Sequence, residues 1–311
     1  MSINMERVAE LTEIESKRLN ERTKGSGDMY NRARNSLSGG VASSYQLREP
    51  WPIYLERGQG PKVWDVDGNE MWDFHNGFGS MLQGHAHPVI GEAVQERYSK
   101  GTHFAAPTED ALAVAENLSG RWGLPKWRYT NSGSESTMDA IRIARAYTGR
   151  DTVMKIFGSY HGHHDTVMVS IGVEYDKIGD RDNLASLPYG GGIPDATVQM
   201  TVPVPFNDAE AMERRIIRLT DEGRKPACVI MEPAMMNLGV VLPEPGYLEK
   251  VREITRRHGV VLIFDEVKTG LCIGPGGATK RFGVTPDLVT MAKALGAGLP
   301  SGAIGGTEEV M

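Results

Sequence analysis

The stretch Val260-Val261-Leu262-Ile263-Phe264-Asp265-Glu266 decides the fold. Five apolar residues in a row leave no polar face, so the segment predicts a strand buried on both sides that ends on two carboxylates. The same pattern recurs on either side of it, in Val153-Met154-Lys155-Ile156-Phe157, Cys228-Val229-Ile230-Met231 and Leu288-Val289-Thr290-Met291. Helical stretches separate these runs; from Tyr247 to His258, residues Tyr247, Leu248, Val251 and Ile254 fall on one side. Helices alternating with buried strands predict an α/β domain with a mostly parallel central sheet flanked by helices. Ligands of such sheets sit beyond the carboxyl ends of the strands. The residues found there are polar: Glu232, Asp265-Glu266 and Lys293.

Upstream the pattern differs. Val8, Leu11 and Ile14 predict an amphipathic helix, with Gly25-Ser26-Gly27 as the break that ends it. Ile53 to Arg57 and Lys62 to Val66 read as short strands, and Asp67-Gly68 as a hairpin turn into a partner near Met71 to Phe74. The expected organisation is a small N-terminal helix and β-hairpin segment over 1–87 and a large α/β domain over 88–311.

Bulk properties narrow the function. The 311 residues carry a net charge of -6, and 40% are hydrophobic, which excludes a disordered or collagen-like chain. No run of 18 apolar residues occurs, so no membrane helix is expected. Mild acidity with scattered cations, such as Arg142, Arg145 and Arg150, argues against nucleic acid or an anionic membrane as partner. Cys228 and Cys272 form no CxxC pair, so neither a zinc site nor a disulfide framework is expected. The charged N-terminus lacks the apolar core of a secretion signal, making the cytoplasm the default location. Glycine, at 37 residues, is about 12% against a usual ~7% and calls for an explanation.

Three segments carry chemistry. In Asn131-Ser132-Gly133-Ser134-Glu135-Ser136, Ser132 and Glu135 have capping-box spacing, so a helix begins there. A glycine and two hydroxyls at that N-terminus suit an anion, although alone the segment reads as a plain capped helix. Asp265 ends the most apolar strand and needs a cationic or protonated partner, unless it simply caps a loop. Lys293, in Met291-Ala292-Lys293-Ala294-Leu295-Gly296, would lose amine basicity by desolvation and so suit Schiff-base chemistry; alone it could equally snorkel to the surface. Together, an anion cradle, a buried carboxylate and a desolvated lysine at strand ends match the needs of pyridoxal 5'-phosphate.

In order and spelling the chain resembles the class III aminotransferases of the fold-type I pyridoxal-phosphate enzymes, and among them the glutamate-1-semialdehyde aminomutases. The resemblance runs from about Tyr30 to Gly306. It rests on Gly84-His85-Ala86-His87-Pro88, Ala106-Pro107-Thr108-Glu109, the Asn131 to Glu135 segment, Tyr160-His161-Gly162, Glu232-Pro233, Asp265-Glu266-Val267 and Lys293 before Gly296. Asn237 to Val241 with Pro243-Glu244-Pro245-Gly246 is aminomutase-like. The resemblance implies that Lys293 carries the cofactor, Asp265 pairs with its ring nitrogen, and Ser132, Gly133 and Ser134 form the phosphate end. It also implies that Tyr160 and Val267 press on the two ring faces, that Asn237 lies near the ring 3′-oxygen, and that Glu232 orders that side. Catalysis is thus expected of Lys293, Asp265 and Tyr160, with a small-molecule amino donor and a keto or aldehyde acceptor as partners and a homodimer as the assembly. The run His161-Gly162-His163-His164-Asp165 matches no zinc spacing and reads as the loop after Tyr160, so no metal is expected.

Two features depart from the family pattern. Where the aminomutases use an Arg after Gly-Gly-Val for the substrate carboxylate, Gln46 stands, with Arg48 two residues on; these are the candidate substrate residues. Glutamine lacks the bidentate, charge-assisted grip of Arg. Lys268 follows Val267 where relatives often have an uncharged residue. The readings that remain are an aminotransferase, an aminomutase that moves an amino group within one molecule, and a truncated non-catalytic protein of this fold. The family's C-terminal domain, on the order of 100 residues, is expected to be absent.

Overall fold

The apolar runs come together as one sheet. The structure, a computed structural model describing residues 3–311, divides into two compact units: Met1–Asn76 with Gln83–Gly101, and Gly77–Leu82 with Thr102–Met311. In the first unit lie helices α1 (Met5–Arg22) and α2 (Lys24–Ala33), the antiparallel strands β1 (Leu55–Gln59), β2 (Lys62–Asp65) and β3 (Glu70–Trp72), and helix α3 (Pro88–Lys100). Helix α3, which follows the boundary expected at residue 87, is thus part of the first unit.

One sequence expectation fails here. Gly25-Ser26-Gly27 do not end a helix; they form the first turn of α2, and the break falls at Thr23. The hairpin turn supplies the reason. The carboxylate of Asp67 accepts the N–H groups of Gly25 (2.6 Å) and Ser26 (3.1 Å), capping the new helix from a distance in sequence. A Cβ on Gly25 would lie 2.9 Å from that carboxylate, and one on Gly27 would lie 3.2 Å from the Trp51 ring. These glycines permit close approach rather than a chain reversal.

The second unit holds α4 (Glu109–Trp122), β4 (Lys126–Thr130), α5 (Gly133–Thr148), β5 (Val153–Ile156), β6 (Thr201–Val204), α6 (Ala209–Asp221), β7 (Cys228–Met231), α7 (Tyr247–Arg257), β8 (Val261–Asp265), β9 (Leu288–Met291) and β10 (Gly302–Gly306). Among the described residues the sheet has seven strands in the order β4-β10-β9-β8-β7-β5-β6. Pairing is parallel from β9 to β6, and β10 runs antiparallel to both β9 and β4. The four apolar runs are β5, β7, β8 and β9. The sequence did not single out β4, β6 or β10.

Alternation within the buried strands feeds two cores. Val229, Met231, Leu262 and Phe264 pack with α6 and α7 through Met212, Ile216, Leu248 and Val251. On the opposite face Cys228, Ile230, Val261 and Ile263 meet Ala140, Ile141 and Ala144 of α5. With both faces covered by helices, room for a ligand is left at the strand ends, which places the chemistry at the carboxyl edge. Among the described residues no helix is long and apolar enough to cross a membrane.

Candidate active site

At the carboxyl edge of the sheet, within the second unit, a cavity of about 220 Å³ opens. Its lining comes from the start of α5 (Asn131 to Ser134), the loop after β5 (Tyr160, His161, Gly162), Glu232 after β7, Asp265 at the end of β8 with Val267 and Lys268, and Lys293 after β9. Eight of the residues expected from sequence thus share one cavity: Ser132, Gly133, Ser134, Tyr160, Glu232, Asp265, Val267 and Lys293.

Asp265 is buried and fully engaged. One oxygen, Oδ1, accepts from the Val267 N–H (3.0 Å) and the Thr290 hydroxyl (3.2 Å); the other, Oδ2, lies 2.7 Å from Nδ1 of His161. Burial pushes its pKa up, but the His161 hydrogen bond and charge and the Val267 N–H outweigh that, and the net shift is downward. His161 is itself buried, with Nε2 2.8 Å from the Ser159 hydroxyl and its carbonyl accepting from Thr137 (2.5 Å). This is the functional residue that sequence reading misses, since by spacing it belongs only to a loop. The signal was present in Asp265, which called for a cationic or protonated partner.

The neighbouring Glu266 has a separate task. It accepts from the Trp122 indole (3.1 Å), the Thr269 hydroxyl (3.1 Å), the backbone of Ala278 (2.6 Å) and both the backbone and the hydroxyl of Thr279 (2.9 and 2.6 Å). It fastens the helix at Gly277–Phe282 to α4. Adjacent residues at a strand end point to opposite sides, so one carboxylate faces the cavity and the other locks the scaffold.

Lys293 follows β9 with φ +50°, a left-handed backbone that costs an L-residue about 1–2 kcal/mol. Such strain at a cavity wall suits a residue held for function. Burial lowers the pKa of its amine, and the Lys268 ammonium lowers it further; Asp265, Glu232 and Cys272 oppose the shift without reversing it. Nζ stands 5.9 Å from the centre of the Phe78 ring. The free-base amine is therefore more accessible near neutrality than in an ordinary lysine.

The anion end is built by α5. Ser132 caps the helix, accepting from the Glu135 N–H (3.2 Å), while the Glu135 carboxylate reaches back to the Asn131 N–H (2.6 Å). Gly133 and Ser134 follow in the first turn, where N–H groups have no intrahelical partner. A Cβ on Gly133 would stand 3.0 Å from both methyls of Val267, so the glycine keeps the cradle open beside that wall.

Lys268, whose partner the sequence left open, donates to Asn237 Oδ1 (3.2 Å) and faces Glu232 Oε1 at 3.4 Å. Asn237 is joined to the cavity wall through that bond. Burial raises the Glu232 pKa, and its Oε2 is buried with no hydrogen-bond partner among the described residues. Gln46 and Arg48 belong to the first unit. There Gln46 Oε1 accepts from the Ser43 N–H (3.1 Å), and Arg48 donates to the carbonyls of Tyr45 and Leu47 (2.9 and 2.6 Å). Among the described residues no cluster of three or more His, Cys, Asp or Glu side chains could hold a metal.

A mostly parallel sheet with a helix N-terminus, a buried aspartate and a desolvated lysine at its carboxyl edge matches the fold of pyridoxal-phosphate-dependent transferases. The Aminotransferase class-III family model matches residues 44–311, and the chain belongs to that family. It is 43% identical over 287 residues to the glutamate-1-semialdehyde 2,1-aminomutase of Methanothermobacter thermautotrophicus, covering 92% of this chain and 66% of that protein. Of solved structures, an omega-transaminase from Sphaerobacter thermophilus is 43% identical with TM-score 0.87, covering 92% of this chain and 64% of the other. A glutamate-1-semialdehyde-aminomutase from Pseudomonas aeruginosa PAO1, in complex with PMP, is 30% identical with TM-score 0.88, covering 100% of this chain and 66% of the other. The chain spans just under two thirds of the length of the relatives it matches.

The family is pyridoxal-phosphate-dependent, and the donor set here fits that group. The first turn of α5 suits its phosphate, and the anionic Asp265 suits a protonated ring nitrogen. The unpartnered Oε2 of Glu232 is the kind of buried oxygen that a bound group or water satisfies.

Proposed function

We propose that the chain is a pyridoxal-phosphate-dependent aminotransferase, moving an amino group between an amino acid or amine and a keto or aldehyde acceptor. The observation that carries this reading is the convergence of Lys293, the Asp265–His161 pair and the α5 N-terminus on one cavity. When bound, pyridoxal phosphate supplies an aldehyde that condenses with amines and a ring that accepts the electrons of a breaking Cα–H bond.

The remaining work falls to this chain's own residues. Gly133 and Ser134 bind the phosphate through first-turn N–H groups and the helix dipole. Asp265, held anionic by three donors, keeps a proton on the ring nitrogen; without that charge the ring is a weaker electron acceptor. Tyr160 and Val267 hold the ring between them, and burial raises the Tyr160 pKa so that its hydroxyl stays neutral. Asn237, held by Lys268, and Glu232 order the side of the 3′-oxygen. The Lys293 amine, lowered in pKa, would take the Cα proton of a bound amine and return it at the cofactor's aldehyde carbon, C4′. In solution the reading expects a cytoplasmic homodimer acting on small molecules. Free thiols at Cys228 and Cys272 accord with a reducing compartment, and exposed Leu82, Leu112 and Leu299 on the second unit with self-association.

An aminomutase is the second reading, favoured by the 43% identity to a protein of that name. Gln46 and Arg48 are then the residues whose substitution would alter the grip on a substrate carboxylate. Single-turnover mixing separates the two readings. An aminotransferase loaded with cofactor converts an amino donor stoichiometrically and turns over only when a keto acceptor is added. An aminomutase turns over glutamate 1-semialdehyde alone. Failure of every donor to alter the cofactor spectrum would remove both.

A further inference from the structure

One buried charge has no part in the chemistry above. Lys155 lies inside β5, completely buried, the one charged residue of an otherwise apolar strand. Its Nζ donates to three backbone carbonyls: Ser159 at 2.7 Å, Val169 at 2.7 Å and Val167 at 3.1 Å. Three acceptors around one nitrogen match the three N–H groups of an ammonium; a neutral amine has one donor fewer. Burial brings its pKa down to about 7, with the Glu232 carboxylate pulling the other way.

All three carbonyls belong to one loop. The chain leaves β5, passes through Tyr160, His161 and Gly162, and returns where the Gly158 N–H bonds the Ser170 carbonyl (2.9 Å). Ser159 stands at the outgoing end, and Val167 and Val169 at the returning end, so the ammonium fastens both ends of the loop to one point. From that point the contacts lead to the cavity. Ser159 precedes Tyr160, and its hydroxyl lies 2.8 Å from His161 Nε2, whose other nitrogen faces Asp265. The far side of the loop is held by Ser134, whose hydroxyl accepts the His163 N–H (2.9 Å), and by Gly162, where a Cβ would stand 2.7 Å from the Ser134 Cα.

A lysine is a costly way to fill a core strand, since an apolar side chain of equal size would pack there without desolvating a charge. What the ammonium adds is a three-way tie between carbonyls at both ends of the loop. We infer that Lys155 is a positioning residue for the cofactor site, its buried ammonium fixing the loop that sets Tyr160 against the cavity and His161 against Asp265. The inference rests on the pyridoxal-phosphate reading of that cavity.

The test compares the 311-residue wild type, Lys155→Met and Ile216→Ala, the last a core truncation in α6 whose buried cluster contains no residue of the loop. Pyridoxal phosphate is titrated by absorbance, and amide hydrogen exchange across 158–170 is followed in the cofactor-free proteins. Lys155→Met is expected to weaken cofactor affinity by about tenfold to a hundredfold, the usual range for a lost supporting contact, and to speed exchange across the loop. Ile216→Ala should lower thermal stability yet leave affinity within about twofold of wild type. Equal affinity in Lys155→Met, with unchanged loop exchange, would overturn the inference and leave Lys155 a structural residue. If Lys155→Met does not fold, Lys155→Arg replaces it, keeping the charge but exchanging the tripod of donors for a planar fork. The same loss is expected of it, and wild-type affinity would again overturn the inference. If the wild type itself takes up no pyridoxal phosphate, the reading of the cavity fails rather than the role of Lys155.

Discussion

Nδ1 of His161 lies 2.7 Å from Oδ2 of Asp265, and both side chains are buried at the carboxyl edge of the sheet. This contact holds the aspartate anionic where burial alone would neutralise it.

Replacing His161 with Ala leaves Oδ2 of a buried carboxylate without its protein donor, at a cost of about 1–3 kcal/mol. The pH dependence should shift as well. Because the folded pKa of Asp265 lies below the ordinary 3.8, its pairing stabilises the fold above that pH and is lost as pH falls through the folded value. In His161→Ala the acid limb of thermal stability should therefore move to higher pH. Melting temperatures measured between about pH 3 and 7, values chosen to bracket that limb, check this; an unmoved limb would show that His161 does not govern the charge of Asp265.

Lys268→Met should raise the pKa of Lys293, since a neighbouring cation that disfavours the ammonium is removed while burial remains. Uptake of pyridoxal phosphate, followed by absorbance against pH, should then have its midpoint displaced upward. A downward displacement would mean that Lys268 acts chiefly through Glu232 and Asn237 instead.

Glu266→Ala tests the division of labour between two adjacent carboxylates. It strips partners from two backbone N–H groups and an indole, each worth about 1–3 kcal/mol when buried and unsatisfied. Stability should fall by several times that of a surface change. The spectrum of any cofactor that the folded fraction retains should stay as in wild type, whereas Asp265→Ala should alter that spectrum.

Gly162 has φ +110°, and a Cβ there would stand 2.7 Å from the Ser134 Cα. Gly162→Ala therefore strains the backbone and pushes the loop off the anion cradle. We expect a loss of about 1–3 kcal/mol in stability, with cofactor affinity falling more than in a glycine change at Gly223, where a Cβ has open space.

The parallel core of the sheet was legible in the sequence because β5, β7, β8 and β9 are covered on both faces and so read as predominantly apolar runs, interrupted only by Lys155 and Thr290. The flanking strands were not. Lys126 to Thr130 alternates exposed charged and aromatic residues, and β6 contains Pro203, tolerated because that strand is at the sheet edge. Strand β10 reads Gly-Ala-Ile-Gly-Gly, a poor strand by composition. Its glycines answer to packing: a Cβ on Gly305 would meet the Trp127 ring at 2.6 Å, and one on Gly302 would meet the Thr130 hydroxyl at 2.4 Å. Part of the glycine excess is thus spent on close contact between strands.

Of the cavity, Asp265 and Lys293 were legible because each is polar at the carboxyl end of an apolar strand, where ligands of such sheets sit. His161 and Lys155 were not, for opposite reasons. The histidine stands among other histidines in an irregular loop, and the lysine is masked by the apolar residues around it. Their partners are backbone carbonyls and a carboxylate 104 residues away, which no local spacing reveals.

The most direct test is to load the protein with pyridoxal phosphate, reduce it with borohydride, digest it and locate the cofactor-bearing peptide by mass spectrometry. A single adduct on Lys293, absent from Lys293→Ala together with the absorbance band near about 420 nm, is the predicted result. An adduct on Lys268 or another lysine, or none at all, would contradict the assignment of Lys293 as the residue that carries the cofactor.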